Sequence, residues 1–422
     1  MQGAVMTFGE QNNVDHMNEV RANGSMAPMS TAPGPATTGQ VFSLIRDGHA
    51  VTRSEIGRVS GLSRTAVAVR VGALLESGLV VEGADTDRSP SSGGRPPVRL
   101  RFNRDAGVVL AGAIGRSRTQ LAVCDLEGTV LAGHDLDQEV GSAAGELMPQ
   151  VVAGFAGLLD GLGRPTDAVH AVGLCIPGTV DYVRGASLDS PIMAGWDGVE
   201  LAPFLRQLTT APVYVDNDVN VMALSERRGH LQHHRDLVFV KASTGIGVGI
   251  VTGGQLLRGA LGAAGEIGHT KIPAAKGLPC RCGDTGCVEA VAAGWALVQA
   301  ARTGGHEVTH VRDLVELAVR GDTDARHLVR VAGRRIGEVV ASAVNLLNPE
   351  AVVVGGDLAQ VYDIFVAGLR ESLYSQASAL ATRELVIVPV THGDQSGVVG
   401  CAALAIREVL DSAAVDRALA GH

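Results

Sequence analysis

The most informative run of this chain is a glycine-rich segment that ends in Gly-Glu-x-Gly-His, "STGIGVGIVTGGQLLRGALGAAGEIGH" (Ser243–His269). Its glycines are typical of a tight hairpin. Three of the chain's six cysteines then follow within eight residues, at Cys280, Cys282 and Cys287. A carboxylate, an imidazole and a dense group of thiols therefore lie close together in sequence, which predicts a bound metal, a bound ligand, or both.

The three cysteines and His269 have the composition of a zinc site. Three thiolates and one imidazole complete a tetrahedral Zn²⁺ shell, and four protein ligands leave no open position, so the metal is expected to be structural. Turns at Gly283 and Gly286 let the short Cys-x-Cys-x4-Cys loop fold back on one ion. The alternative is a set of thiols that lie in a buried loop without a metal.

The same loop carries groups suited to a carbohydrate. Sugar hydroxyls donate and accept at once, so their site needs carboxylates, an amide and an imidazole in a small space. With one ring nitrogen of His269 on zinc, the other nitrogen is fixed in direction and can meet a hydroxyl. The metal would thereby aim Glu266, His269 and Glu289 at a common site.

A second motif, "DNDVNVMALSE" (Asp216–Glu226), follows the strand-like run "PVYV". We expect its Asp-Asn-Asp to lie at the turn between a strand and a helix, where α/β folds present ligand-contacting groups. Asp218 is predicted to contact the ligand, whereas Asp216 is as well explained as a turn residue.

These motifs, together with "NLLNPEAVVVGGDL" (Asn345–Leu358), resemble the ROK family of repressors, open reading frames and sugar kinases, and the similarity runs from about Val41 to the C-terminus. The resemblance implies an α/β, actin/hexokinase-like fold of two lobes around a cleft, usually as a homodimer or homotetramer. It also implies that the residues matching the hexose-holding groups of the family's kinases are Asn217, Asp218, Glu266, His269 and Glu289. In those kinases the counterpart of Asp218 is the general base, so Asp218 would be catalytic here only if kinase activity is retained.

The predicted phosphate-binding turn departs from the kinase pattern. The family's kinases have Asp-x-Gly-Gly-Thr there, and this chain has "AIGRSRT", with Ala113 in place of the Asp and Arg116 and Ser117 in place of the second Gly and the Thr. Phosphoryl transfer depends on holding phosphates and Mg²⁺, so loss of a carboxylate and gain of a bulky side chain argue against turnover of Mg-ATP.

The first hundred residues have a different character. "VTRSEIGRVSGLSRTAVAVRVGALLESGLVVEG" (Val51–Gly83) has the pattern helix, turn, helix, strand, with Gly61 at the turn and Ser63 as helix N-cap. It resembles the winged helix–turn–helix domains of bacterial repressors, with a hairpin from Val80–Gly83 to Val98–Phe102 as the wing. A small helical domain for protein contacts is the alternative.

Charge favours DNA as the partner of this region. Residues 39–104 hold ten Arg, no Lys and six acids, a net charge of +4, which leaves −13 for the rest of a chain whose formal charge is −9. A basic module on an acidic body is expected when one part approaches DNA. Arg95, in a stiff Gly/Pro loop, suits a narrow minor groove. The predicted DNA-binding residues are Ser63, Arg64, Thr65, Ala68, Arg70 and Arg95.

The chain therefore divides into a disordered tail (residues 1–38), a winged helix–turn–helix domain (39–104) and a sugar-kinase-like domain (105–422). Lobe 1 of the last is expected at about 105–219 and 399–422, and lobe 2 at about 220–398. No apolar run approaches the roughly 20 residues needed to span a bilayer, and no secretion signal is evident, so we expect a cytoplasmic protein with no membrane contact, which favours metal over disulfides for clustered cysteines.

The function predicted from these features is that of a transcriptional regulator, expected to be a repressor, that binds operator DNA and responds to a monosaccharide or a derivative. Two alternatives stay open. One is an ATP-dependent, glucokinase-like sugar kinase with an accessory DNA-binding domain. The other is a constitutive DNA-binding or scaffolding protein whose sugar site is vestigial.

Overall fold

The structure, a computed structural model, describes residues 35–83, 98–116, 118–138, 142–188 and 195–421. The tail predicted to be disordered, residues 1–38, lies outside the described residues except for its last four. Of these, Thr37 caps the first helix, because its side chain accepts a hydrogen bond from the backbone N–H of Gln40. The ordered N-terminal region thus begins slightly earlier than predicted.

Caps and one glycine set the helix ends of this region. Thr52 and Glu55 form a capping box, and Gly61 ends the second helix with a φ of 70°, a left-handed conformation that suits glycine. The side chain of Ser63 accepts from the N–H of Ala66 and begins the third helix, as predicted. The elements are α1 (Thr38–Arg46), α2 (Arg53–Ser60), α3 (Arg64–Glu76), β1 (Val80–Gly83) and β2 (Arg99–Phe102), the two strands pairing antiparallel.

The first large sheet starts with an antiparallel meander of three strands. Its strand order is β5-β4-β3-β6-β9, and β6 and β9 run parallel to β3. The elements of this region are β3 (Val108–Ile114), β4 (Arg118–Asp125), β5 (Val130–Asp137), α4 (Ala144–Gly161), β6 (Val169–Ile176), β7 (Val180–Asp181), β8 (Ala186–Ser187), α5 (Ala202–Leu205), β9 (Val213–Asn217) and α6 (Asp218–Ser225).

The second large sheet has a related arrangement, an antiparallel hairpin extended by parallel strands. Its order is β12-β11-β10-β13-β14, with β13 and β14 parallel to their neighbours. The elements are β10 (Leu237–Ala242), β11 (Ile246–Thr252), β12 (Gln255–Leu256), α7 (Glu289–Ala292), α8 (Gly294–Thr303), α9 (Val311–Val319), α10 (Thr323–Leu347), β13 (Ala351–Gly355), α11 (Tyr362–Gln376), α12 (Ala379–Thr382) and β14 (Val386–Pro389).

Two final helices connect the parts of the molecule. Helix α13 (Ser396–Val409) leaves the second sheet and packs on β3, β6 and α6, and α14 (Ser412–Ala420) packs against α1. Because α6 contacts both α13 and the strands β10 and β11, these two helices fill the space between the sheets. The outer face of the first sheet is covered by α4, and that of the second by α10 and α11.

The fold predicted from sequence is confirmed: two α/β lobes, each built on a mixed sheet, face each other across a cleft. The apolar runs "DLVFVKAS", "AVVVGG" and "LVIVPV" form β10, β13 and β14. Within the part of the chain described here, no helix is both long and apolar enough to cross a membrane.

Candidate functional site

A cleft of about 890 Å³ opens between the two sheets at the N-terminus of α6. Residues of both lobes line it, from the β3–β4 turn on one side to the glycine-rich hairpin and the cysteine loop on the other. The structure brings all the predicted hexose-holding side chains to this one place, namely Asn217, Asp218, Glu266, His269 and Glu289.

The Asp-Asn-Asp motif is placed by the junction of β9 and α6. The strand continues through Asp216 and Asn217, so the expected turn is absent and Asp218 is the first helical residue. Asn217 caps α6, since its Oδ1 accepts from the N–H of Val219 (2.8 Å), while its Nδ2 donates to the carbonyl of Gly178 (2.7 Å). One amide hydrogen of Asn217 therefore remains for a ligand.

Asp216 has a structural place. It is 2% exposed, and its Oδ1 accepts from the N–H of Asn217 and from Nδ2 of Asn220 (both 2.8 Å). Its other oxygen pairs with Nε of Arg258 at 2.7 Å. A buried carboxylate satisfied in this way has little capacity left for a ligand, so Asp216 is structural, although it lies at the end of a strand and not in the turn that the alternative expected.

The carboxylate of Asp218 points at a lysine that the sequence analysis did not identify. Nζ of Lys241, on β10, lies 2.5 Å from Oδ2 of Asp218, and the two side chains are 26% and 18% exposed. Burial lowers the pKa of Lys241, but the charge and hydrogen bond of Asp218 outweigh it and raise the pKa. The only sequence signal was a lysine inside an otherwise apolar strand, "LVFVKA".

Glu266 and His269 project from a turn that lies hard against β11. Gly265 has a φ of 99°, and a Cβ there would lie 1.8 Å from the carbonyl oxygen of Val248, so only glycine fits. Oε2 of Glu266 lies 4.0 Å from Nε2 of His269, and both side chains are more than a third exposed to the cleft. Burial raises the pKa of Glu266, and His269 opposes the increase.

Glu289, at the start of α7, ties the cysteine loop to the glycine-rich hairpin. It is 9% exposed, and its Oε1 accepts from the backbone N–H of Ile246 at 2.7 Å. Its Oε2 lies 3.5 Å from Nε1 of Trp295, a cleft residue that the sequence analysis missed.

The four predicted metal ligands form one cluster. The ligand atoms of His269, Cys280, Cys282 and Cys287 all lie within 4.8 Å of one another. Sγ of Cys282 is 3.8 Å from Sγ of Cys287, and Nδ1 of His269 is 3.7 Å from Sγ of Cys280. A tetrahedral zinc with sulfur at 2.3 Å requires ligands about 3.8 Å apart, so this donor set fits zinc.

Outer contacts of the cluster agree with a metal site. Nζ of Lys271 lies 3.0 Å from Sγ of Cys287 and 2.6 Å from Oδ2 of Asp284. The ammonium of Lys271, itself held by Asp284, thus positions the thiol of Cys287. His269 turns Nδ1 toward the cysteines and Nε2 toward Glu266, the orientation that the dual use of this imidazole requires.

On the far side of Asp218 the cleft continues into a cavity of about 390 Å³ beside Ala113. The acidic side chains that line it in the described residues are Asp218, Asp357 and Asp394. Each is paired: Asp218 with Lys241, Asp357 with Arg312 at 3.1 Å, and Asp394 with Arg118 at 3.5 Å. Ser243 also donates to Asp357. Each carboxylate that lines this cavity in the described residues is thus neutralised by a cationic side chain.

The predicted DNA-contacting residues differ in their exposure and in their contacts. Ser63, the N-cap of α3, and Arg64, Thr65 and Ala68 in its first half are exposed, and Val69 is 67% exposed beside them.

Arg70 is held differently. Its guanidinium donates to the carbonyls of Ala36 (2.7 Å) and Ala66 (3.2 Å), so it fastens the approach to α1 instead of projecting freely. Arg95 lies outside the described residues.

The two-lobed fold, the cleft and the cysteine cluster define a sugar-kinase-like domain that carries an additional N-terminal module. The chain belongs to the ROK family, which matches residues 109–408. The resemblance drawn from the sequence is thereby confirmed.

Relatives of known structure or name divide into two groups. The xylose repressor of Bacillus spizizenii is 25% identical over 364 residues, which cover 86% of this chain and 92% of that protein. A ROK family transcriptional regulator described as a homolog of the E. coli MLC protein superposes with a TM-score of 0.76 at 26% identity, over 91% of this chain and 98% of its own. A ROK glucokinase from Streptomyces griseus, solved with glucose and AMPPNP, gives a TM-score of 0.61 at 29% identity, over 71% of this chain and 99% of its own.

The difference in coverage is informative. The glucokinase is matched over almost its full length and leaves more than a quarter of this chain without a counterpart, whereas the regulator matches nearly all of it. The family match begins at residue 109, so the N-terminal module lies outside the residues that define the family.

Proposed function

We propose that this protein is a sugar-responsive transcriptional repressor that binds operator DNA with its N-terminal module. One observation carries the proposal: a module of three helices and a hairpin, which lies outside the residues that match the family, packs against the last helix of a kinase-like domain. The match to the xylose repressor covers 86% of this chain, whereas the match to the glucokinase structure covers 71%.

The proposed division of labour follows the boundaries expected from sequence, with DNA binding in residues 39–104 and sugar sensing in residues 105–422. The division into lobes at about 219 and 399 is supported by the two sheets, which span residues 108–217 and 237–389. Operator binding also requires a cytoplasmic protein, as the sequence analysis expects.

In the cleft, sugar hydroxyls would meet a mixed set of donors and acceptors. The free amide hydrogen of Asn217 donates, and the carboxylates of Asp218, Glu266 and Glu289 accept. Nε2 of His269 faces the same space as Glu266. Zinc, held by His269 and the three cysteines, would supply no chemistry to the sugar and would fix the loop that carries these groups.

On DNA, the exposed start of α3 would enter the major groove, with Ser63, Arg64, Thr65 and Ala68 near the base edges or phosphates. Val69 adds an apolar side chain to the same face, suited to a thymine methyl group. Arg70 would act through the position of α1, and Arg95 would reach the minor groove. A homodimer, or a homotetramer built from such dimers, would present two modules to half-sites about 34–36 Å apart.

A continuous path joins the cleft to the module. Helix α13 begins beside the cavity lined by Gly397 and ends next to Leu410, whose carbonyl accepts from Nη1 of Arg46 on α1 at 2.9 Å. Any ligand that favours one position of α13 would therefore favour one position of the module. A coupling of about 1–3 kcal/mol would change operator affinity roughly 5- to 150-fold.

The sugar-kinase alternative is disfavoured by the paired carboxylates around the second cavity. Asp218 is salt-bridged to Lys241, and no carboxylate that lines this cavity in the described residues is without a cationic partner. Paired with an ammonium, the carboxylate of Asp218 is poorly arranged to accept a proton from a sugar hydroxyl. The neighbouring turn, with Ala113 and Arg116, is poorly arranged to anchor Mg²⁺.

The experiment is a fluorescence-anisotropy titration of the gene's own upstream DNA with full-length protein, repeated with a panel of hexoses, pentoses and amino sugars. We expect one sugar class to change operator affinity, and Glu266→Ala to abolish that change while operator binding persists. Steady consumption of ATP with a sugar, at a rate ordinary for a metabolic kinase, would overturn the proposal in favour of the enzyme. Operator binding that no sugar changes would favour a vestigial site.

A further inference from the structure

The glycine-rich hairpin that leads to Glu266 also touches the helix that holds the N-terminal module. Oε1 of Gln255, on β12, accepts a hydrogen bond from Nη2 of Arg407, on α13, at 2.5 Å. Three residues farther along, the carbonyl of Leu410 accepts from Nη1 of Arg46 on α1 at 2.9 Å. The end of α13 therefore contacts the hairpin and the module within a single helical turn.

Apolar packing connects the same three parts of the molecule. Leu256 on β12, Leu404 on α13 and Phe42 on α1 belong to one continuous cluster of buried side chains. Close-packed interiors have low compressibility and transmit strain, so a displacement at one point of such a cluster reaches its neighbours. A movement of β12 would therefore reach α1 through the end of α13.

A buried ion pair joins the hairpin to the Asp-Asn-Asp motif. Arg258 follows β12 by two residues, and its Nε lies 2.7 Å from Oδ2 of Asp216, with the side chains 18% and 3% exposed. The guanidinium carbon of Arg258 also stacks 3.8 Å from the ring centre of Tyr182 in the first lobe. Asp216 belongs to β9, which ends at Asn217. Arg258 thus attaches the segment that leads to Glu266 to the strand that presents the other half of the predicted sugar site.

The segment between Arg258 and Glu266 can move more easily than the strands around it. Gly259, Ala260 and Leu261 are exposed, and segments with few buried contacts open at a lower free-energy cost than the core. Within the described part of the chain, Nη2 of Arg258 is also buried without a hydrogen-bond partner. The present position of the segment therefore leaves one buried donor unsatisfied, a cost that a shift of the segment can relieve.

The polar side chains of this route stand apart from the ligand. Among the described residues that line the cleft, Glu266 is present, whereas Gln255, Arg258 and Arg407 are not. A sugar would contact Glu266, and the residues that precede Glu266 in the chain would respond to its position without touching the sugar.

We propose that the glycine-rich hairpin transmits sugar binding to the N-terminal module, with Arg258 as the positioning residue and the Gln255–Arg407 contact as the connection to α13. This inference rests on the proposed sugar-sensing function and specifies how that site is coupled to the module. A sugar held by Asp218 and Glu266 fixes the segment between the lobes. Arg258 then sets the position of β12 against β9, and α13 carries that position to α1.

The test removes the connection and leaves both binding sites intact. Gln255→Ala deletes the acceptor for Arg407 at an exposed position. Operator affinity is measured by fluorescence anisotropy with and without D-xylose, glucose or N-acetylglucosamine, and sugar affinity by isothermal titration calorimetry. In the full-length parent protein we expect one of these sugars to change operator affinity about 5- to 150-fold. In Gln255→Ala that change should fall to about twofold or less, while sugar affinity and sugar-free operator affinity stay within about twofold of the parent values.

Two matched variants control for the altered side chain. Gln255→Glu retains an acceptor for the guanidinium of Arg407, and it should keep the sugar response because a hydrogen bond between charged groups is stronger than the original one. Thr252→Ala truncates the residue that pairs with Gln255 across the hairpin, and it should leave the sugar response unchanged.

Arg258→Lys tests the positioning role. A lysine keeps a positive charge for the buried carboxylate of Asp216 but lacks the planar group that stacks on Tyr182. Sugar affinity should fall about 10-fold, the effect of one hydrogen bond to a charged group, and zinc content per chain should not change. A structural role alone would lower the denaturation midpoint and leave sugar affinity as it is in the parent protein.

The outcomes are separable. A full sugar response in Gln255→Ala, or parent-like sugar affinity in Arg258→Lys, overturns the inference and leaves the proposed function standing. Loss of sugar binding or of sugar-free operator binding in Gln255→Ala also contradicts it, because the contact would then support one of the sites and not their coupling. If none of the three sugars alters the operator affinity of the parent protein, the proposed function itself has failed, and this inference with it.

Discussion

The substitution Gly39→Ala tests whether the N-terminal module is truly fastened to the sensing domain. Gly39 lies on α1 where it meets α14, and a Cβ there would lie 1.9 Å from the carbonyl oxygen of Ser412. The obstructing atoms are backbone atoms, so no side-chain rotation can relieve the overlap. Reaching an ordinary contact of about 3.5 Å requires the helices to separate by roughly 1.5 Å.

Such a separation would disturb the polar contacts of the joint. Ser43 and Ser412 share a hydrogen bond of 2.9 Å, and the N–H of Gly39 donates to Oδ1 of Asp416 at 2.8 Å. Overpacking costs about 1–3 kcal/mol, each lost hydrogen bond about 0.5–1.5 kcal/mol, and alanine in a helix returns about 0.5–1 kcal/mol. Because these effects overlap, we expect a net loss of about 1–3 kcal/mol.

The assay is amide hydrogen exchange read by mass spectrometry over Ser412–Ala420. A loss of 1–3 kcal/mol corresponds to exchange about 5- to 150-fold faster in α14, and the sugar response of operator binding should fall with it. Gly157→Ala is the control, since Gly157 lies in α4 with no atom within 4 Å of the added carbon, and it should leave α14 unchanged. Equal protection of α14 in Gly39→Ala and the parent protein would refute the docking argument.

Three further outcomes are expected. Cys282→Ala should lower the zinc content from one ion per chain to none, whereas Cys124→Ala, a buried cysteine of the first sheet, should retain it, and metal analysis that finds no difference would exclude the cluster. Thr391→Val removes the hydroxyl that donates to the fully buried carboxylate of Glu226, so the free energy of unfolding should fall by about 1.5–3 kcal/mol, and an unchanged denaturant midpoint would contradict this. Arg64→Ala should weaken operator binding by about 1–3 kcal/mol without altering sugar affinity, and an unaltered anisotropy curve would remove that side chain from the interface.

Local features of this chain were predictable because local physics determines them. Ser63 caps α3 and Gly61 supplies the left-handed turn since both effects depend on a few neighbouring atoms. Val67, Val71 and Leu74 are the buried residues of α3, and their spacing of three or four residues is the helical periodicity that places them on one face. The sugar and metal residues could be assigned to one site because their motifs follow each other in the order that is typical of the family. That resemblance relates residues that are far apart in the sequence.

Features that depend on distant packing were not predictable. Lys241 sits in an apolar strand, and only the approach of β10 to the start of α6 shows that its ammonium pairs with Asp218. Arg70 has the spacing of a groove-facing residue, yet its guanidinium donates a hydrogen bond to the carbonyl of Ala36, 34 residues earlier in the chain. The strand through Asp216 ran longer than expected because β6 pairs with it as far as Asn217.

The docking of α1 on α14 has a consequence for how the protein is made. The two residues of its longest-range hydrogen bond are 377 positions apart, so at about 5–20 residues per second a ribosome needs roughly 20–75 s to travel from one to the other. During that interval α1 has been synthesised, whereas the helix against which it docks has not. In nascent chains stalled shortly before Ser412, α1 should therefore be as sensitive to protease as it is in the isolated N-terminal module.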